Sequence, residues 1–158
     1  MLKIFAKLYF MITVLFSQNI DDDWDQGSFE TRLLSFQVST FSSGYDIPWG
    51  MAFLPSGELL VTDISGSLWL VSKDGGKKRQ IGNTLVVYYK GQGGLMDVQV
   101  HPDFEQNHLI YLCFSDIQDK NRSHTTVARA VLNDHSLEDF QVIYQVPEQL
   151  FTKISRHY

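Results

Sequence analysis

From residue 48 onward the chain alternates short apolar stretches with polar and glycine-containing turns, and it does so twice in the same order. The first pass runs Pro48-Trp49-Gly50-Met51-Ala52-Phe53-Leu54-Pro55, the turn Ser56-Gly57, a strand over 58–63, the turn Ser65-Gly66, a strand over 67–72 and the turn Lys73-Asp74-Gly75-Gly76. The second begins at Leu95, passes Val98 to Pro102, and continues with strands over 107–114, 125–132 and 140–144, the last two separated by Asn133-Asp134-His135. Runs of this length, rich in Val, Ile, Leu and aromatics and bounded by turn residues, predict strands. Pro55 and Pro102 occupy equivalent points 47 residues apart. Short strands repeating at a period in the forties predict an all-β fold of β-propeller blades, in which each sheet covers its faces with its neighbours. An eight-stranded sandwich or barrel would also give short strands and frequent turns. The repeated order of strand, proline turn, strand, polar turn, strand favours blades. On that basis the chain holds about two blades and a stray strand. A propeller closes only with about four or more, so the chain is expected to be the N-terminal part of an incomplete propeller.

The remaining segments frame this repeat. Residues 1–17 read as a secretory signal: Lys3 and Lys7 supply a positive start, and residues 8–16 are apolar apart from Thr13. The apolar run is about half of the ~20 residues a spanning helix needs. An uncleaved N-terminal anchor is the competing reading, because Leu15 and Ser17 match the small-x-small cleavage pattern weakly. The signal places the protein in the periplasm or outside the cell. Residues 18–30 form an acidic, polar linker without periodicity, and 31–158 the propeller part. Leu33, Phe36, Val38 and Phe41 predict one strand before the turn Ser42-Ser43-Gly44.

The stretch Gly91-Gln92-Gly93-Gly94 stands out within the second pass. Its glycines permit positive φ or close backbone approach, and they leave Gln92 as the only side chain on the turn, presented and not packed. It is a candidate ligand contact, against the plainer reading of a loop between sheets. Leu95, Val98 and Val100 predict a short buried strand that Pro102 ends.

Charge and composition narrow the chemistry. Net charge is −5 over 158 residues, and the longest basic run, Lys77-Lys78-Arg79, is predicted in a turn, so no nucleic-acid surface is expected. The single cysteine, Cys113, excludes an intramolecular disulfide and a cysteine metal site, and its apolar strand predicts a buried core thiol. None of the five histidines has the short helical spacing of a zinc site. His101 reads as a turn-packing residue before it reads as a base; His108 and His124 open strands, His135 sits in a polar turn, and His157 lies in a loop. None has a carboxylate partner in sequence that singles it out. No nucleophile elbow, phosphate loop or dinucleotide fingerprint is present.

Three motifs carry a resemblance. Pro48-Trp49-Gly50-Met51-Ala52-Phe53-Leu54-Pro55-Ser56-Gly57, Leu60-Val61-Thr62-Asp63 and Gly91-Gln92-Gly93-Gly94-Leu95-Met96-Asp97 with His101-Pro102-Asp103-Phe104 closely resemble the soluble pyrroloquinoline quinone (PQQ)-dependent sugar dehydrogenases of the glucose/sorbosone dehydrogenase family, over about residues 31–158. The resemblance implies a six-bladed propeller that binds PQQ at one end of its channel, with calcium holding the cofactor. It also implies an aldose substrate oxidised at C1 to the lactone, and a separate electron acceptor. It carries the family's active-site glutamine onto Gln92. It carries the base histidine, which precedes an aromatic, a glycine and an arginine, onto His157, followed here by Tyr158. His101 is implied to support its turn. Most cofactor and calcium ligands are implied to fall beyond residue 158, leaving the fragment alone inactive. Asp63 stands where the family more often has Glu. Two other classes stay open: a propeller that binds a partner or glycan without catalysis, and a calcium-dependent propeller lactonase, which needs carboxylates converging on the metal. No stable membrane span is expected.

Overall fold

A computed structural model describes residues 26–119 and 122–147. The predicted signal segment and His157 lie outside the described residues. The chain divides after Ser43 into two compact units.

In the first unit, β1 (Gln26–Glu30) and β2 (Ser35–Ser39) form an antiparallel hairpin. Phe29 and Phe36 lie opposite each other and stack with ring centroids 5.4 Å apart. The last five residues of the stretch read as a linker therefore form a strand, on the strength of a cross-strand pair that only the register reveals. The strand predicted to begin at Leu33 starts later. Thr31 accepts hydrogen bonds from the Leu33 and Leu34 amides on its hydroxyl, and that hydroxyl reaches the Leu34 carbonyl at 2.8 Å. This local closure competes with the ladder and leaves Leu33 in the turn, 84% exposed.

The second unit contains two four-stranded antiparallel sheets, each in simple chain order. The first blade comprises β3 (Pro48–Phe53), β4 (Leu59–Asp63), β5 (Leu68–Val71) and β6 (Lys78–Gln80); the second comprises β7 (Leu95–Val100), β8 (Leu109–Asp119), β9 (Arg122–Leu132) and β10 (Leu137–Gln145). The meander order is that of propeller blades, as the repeat predicts. β6 is a correction, because the basic run expected in a turn contributes an edge strand paired to β5. Edge strands tolerate lysine, and the Lys78 ammonium lies 4.0 Å from the centre of the Tyr45 ring and 4.8 Å from that of Trp69. Cation–π attraction thus offsets the low strand propensity of the run.

β7 ends at Val100 ahead of Pro102, as predicted, and a one-turn helix α1 (Phe104–Asn107) fills the connection to β8. That helix stops because His108 adopts φ +53° while its amide donates to the Phe104 carbonyl at 2.8 Å. The spacing of Leu95 and Val98, three residues apart and both buried, follows from a register shift between Leu95 and Asp97 that resets the alternation.

The core lies between the two sheets. Leu60, Leu68 and Leu70 from the first blade pack with Leu95, Val98, Ile110, Leu112, Phe114, Ala128 and Ala130 from the second. Full burial of each large aliphatic side chain contributes about 1.5–3 kcal/mol. The inner strands approach closely: a Cβ on Gly50 would lie 2.8 Å from the Met96 carbonyl oxygen. That approach is the physical reason for glycine after Trp49. Cys113 is half-buried and not in this core, because the alternation that buries Leu112 and Phe114 turns it to the opposite face. Phe53, Ile143 and Tyr144 are also exposed.

Candidate functional site

Gln92 sits at the tip of a tight turn and its side chain is exposed. The Gly93 amide closes the turn on the Lys90 carbonyl at 3.1 Å. Gly91, at the first central position, has φ +63°, as a turn of the II′ kind requires. Gly94 has φ +156°, and a Cβ there would lie 1.9 Å from the Ile64 carbonyl oxygen. No other residue fits. The same Ile64 oxygen accepts from the Leu95 amide at 3.0 Å, while the Gly94 carbonyl accepts from the Ser115 amide at 2.8 Å. The turn is thus fastened to both blades.

Beneath it lies a polar hub built on Thr62 and Asp63, residues that the sequence marks as part of a motif but not as buried polar groups. Thr62 is fully buried; its hydroxyl accepts from the Gly50 amide at 2.8 Å and lies 3.2 Å from the Met96 carbonyl oxygen, which links β3, β4 and β7. Asp63 is 2% exposed, and its carboxylate accepts from the amides of Asp46, Ile47 and Ser65 and from the Ser65 hydroxyl. Their sequence signal is membership in the Leu60-Val61-Thr62-Asp63 motif, which gives no indication that their side chains join neighbouring segments.

Register shows which features share this end of the molecule. Pro48 pairs with Asp63, Leu95 with Phe114, Asp116 with His124, and Gln145 with Thr126. The Gln92 turn, the 63–66 turn, the C-terminal end of β8 with the N-terminal end of β9, and the C-terminal end of β10 therefore all lie at one end. There His124, 3% exposed, has its Nε2 2.6 Å from the Gln145 side-chain nitrogen and 3.8 Å from Asp116 Oδ2. The hairpin supplies the carboxylate neighbour that linear spacing hides. His101 is elsewhere: its Nδ1 accepts from the Asp103 amide at 2.9 Å, lies 3.0 Å from Asn107 Nδ2, and its ring stacks on Tyr111. It supports the turn before α1. His108 caps α1, and His135 contacts Arg79 at 3.2 Å.

Among the described residues no three His, Cys, Asp or Glu side chains group so as to hold a metal ion, and no helix is long and apolar enough to cross a membrane. The Gln92 amide is accessible and has both a donor and an acceptor end, which fits one hydrogen-bonding contact to a quinone or sugar.

A stack of four-stranded meander blades defines a β-propeller protein, and the turn that exposes Gln92 at one end of the blades is its candidate site. Residues 45–158 match the glucose/sorbosone dehydrogenase family, and the chain belongs to it. It is 32% identical over 120 residues to the aldose sugar dehydrogenase YliI of Escherichia coli, covering 73% of this chain and 32% of that protein. A solved glucose dehydrogenase superimposes with a TM-score of 0.67 at 36% identity, over 71% of this chain and 36% of its own. The PQQ-bound aldose sugar dehydrogenase of Streptomyces coelicolor gives 0.61 at 26% identity, over 68% and 32%. The chain spans about a third of the length of these relatives.

Proposed function

We propose that this chain is the N-terminal part of a PQQ-dependent dehydrogenase that oxidises aldoses at the C1 hydroxyl to the lactone, using calcium and passing electrons to a separate acceptor. The observation that carries this is the Gln92 turn: an exposed amide on a turn built by Gly91 and Gly94, at the end of the blades where the described chain leaves β10. Gln92 hydrogen-bonds the cofactor or the sugar through its amide. His157 is the base that takes the C1 hydroxyl proton on an imidazole nitrogen, a task suited to a group titrating near neutrality. Bound PQQ supplies the hydride-accepting chemistry that side chains lack.

The relatives named aldose sugar dehydrogenase, and the PQQ-bound form among them, support this reading. The remaining ligands for PQQ and calcium belong to further blades, so the 158-residue chain alone is inactive. The basic and apolar residues at the N-terminus support secretion to the periplasm or the exterior.

The test is PQQ- and calcium-dependent dye reduction with glucose by the complete protein. His157→Asn is expected to lower kcat at least about 100-fold with an unchanged circular dichroism spectrum. Unaltered turnover in that variant would remove His157 as the base. Turnover by the 158-residue chain at the rate of the complete protein would overturn its assignment as an inactive part.

A further inference from the structure

We propose that Asp63 is a positioning residue for the Gln92 turn; the functional meaning of this rests on the assignment of Gln92 to the cofactor or sugar site. Asp63 is a buried carboxylate whose hydrogen-bond partners among the described residues are all donors: the Asp46 amide at 2.9 Å, the Ile47 amide at 3.3 Å, and the Ser65 amide and hydroxyl at 3.4 and 3.1 Å. Burial of such a group is tolerable only with this degree of satisfaction.

What those bonds hold is the peptide of Ile64. Its amide donates to the Ile47 carbonyl at 3.0 Å, within the same 46–47 segment that Asp63 grips, and its carbonyl accepts from Leu95 at 3.0 Å. Below it the Gly66 amide closes on the Asp63 carbonyl at 2.9 Å, and the Asp63 amide donates to Ser67 at 2.8 Å. The Ile64 oxygen is the surface against which Gly94 closes, too near for any Cβ. One carboxylate thus sets the 46–47 segment, the 63–66 turn and, through a single carbonyl, the height and tilt of the turn that presents Gln92. The arrangement does not require Asp63 to touch substrate or cofactor.

Asp63→Asn tests the relay with little change of shape. An amide nitrogen would replace one acceptor oxygen and face N–H donors, so the 63–66 turn loosens. Hydrogen–deuterium exchange is expected to accelerate about tenfold at the Gly93 and Leu95 amides, while the Gly57 amide at the opposite end of the first blade is unchanged. Equal rates at Gly93 and Leu95 in variant and parent overturn the proposal. Should Asp63→Asn unfold the blade, Ser65→Ala, which removes one donor only, decides it: faster exchange at Gly93 and Leu95 than at Gly57 supports the relay, and no such difference overturns it. The functional half is separated by titrating PQQ, and then glucose, into the complete parent and Gln92→Ala proteins, read by tryptophan fluorescence. Weaker binding of either by the variant supports it, and unchanged binding of both overturns that half while the exchange result stands.

Discussion

Gly94→Ala puts the packing of the candidate site to its hardest test. The new Cβ would lie 1.9 Å from the Ile64 carbonyl oxygen and 2.6 Å from Ile64 Cγ1, where ordinary contact needs over 3 Å, and φ at this position is +156°. Relief requires moving either the Ile64 peptide, which breaks its bond from Leu95, or the Gly94 peptide, which breaks its bond to Ser115. A lost buried hydrogen bond costs about 1–3 kcal/mol, overpacking about 1–3 kcal/mol, and the unfavourable backbone about 1–3 kcal/mol. Relaxing one relieves part of the others, so the sum is less than additive, and we expect about 3–5 kcal/mol. For a unit of this size that lowers Tm by roughly 10 °C or more. Urea unfolding followed by tryptophan fluorescence measures the loss directly. Gly76→Ala is the control: its nearest atom to a new Cβ is 3.5 Å away and no positive φ is involved, so it is expected to change stability by less than about 0.5 kcal/mol. If Gly94→Ala behaves like the control, the claim that Gly94 is fixed by the Ile64 carbonyl is wrong.

Four further outcomes follow from the structure. Thr62→Val keeps the shape of a fully buried side chain but strands the Gly50 amide that its hydroxyl satisfies, and urea unfolding should show a loss of about 1–3 kcal/mol; an unchanged midpoint would mean the β3–β7 contact does not depend on the hydroxyl. Burial, and secondarily the negative charge of Asp97, push the Cys113 thiol above its ordinary pKa, so its alkylation by iodoacetamide should rise with pH later than that of a free cysteine and shift back in Asp97→Asn, with a profile matching free cysteine counting against this. Because the folded thiol holds its proton longer than the unfolded one, stability should also fall as pH rises from the ordinary thiol range toward the raised value. Hydrogen bonds from the Ser72 hydroxyl and then the Gly76 amide hold the Asp74 carboxyl below its ordinary pKa; carboxyl NMR titration of Ser72→Ala should show it moving up, and a static value would assign the shift to other neighbours.

How much of this was legible in the chain depends on the range of the interactions. The two blades were readable because strand, turn and proline recur in order, and because strand alternation and turn chemistry act over a few residues. Gln92 was readable for the same reason, since a lone side chain among glycines has little to pack against. The edge strand β6 was not, because its residues are poor strand formers whose place is settled by Trp69 and Tyr45. Nor was β1, whose partner Phe36 becomes a neighbour only once the hairpin register is set.

The sequence by itself determined the all-β repeat, most of the glycine and proline turns within it, and the glycines without which the Gln92 turn cannot form. Tertiary structure alone decided which groups meet at the blade end: Asp63 with the 46–47 amides, Ile64 with Gly94 and Leu95, and Asp116 with His124. Those meetings depend on register and on one sheet stacking over another, and neither leaves a periodic trace in the residues themselves. A buried carboxylate and a strand-end aspartate look identical until the donors around them are in place.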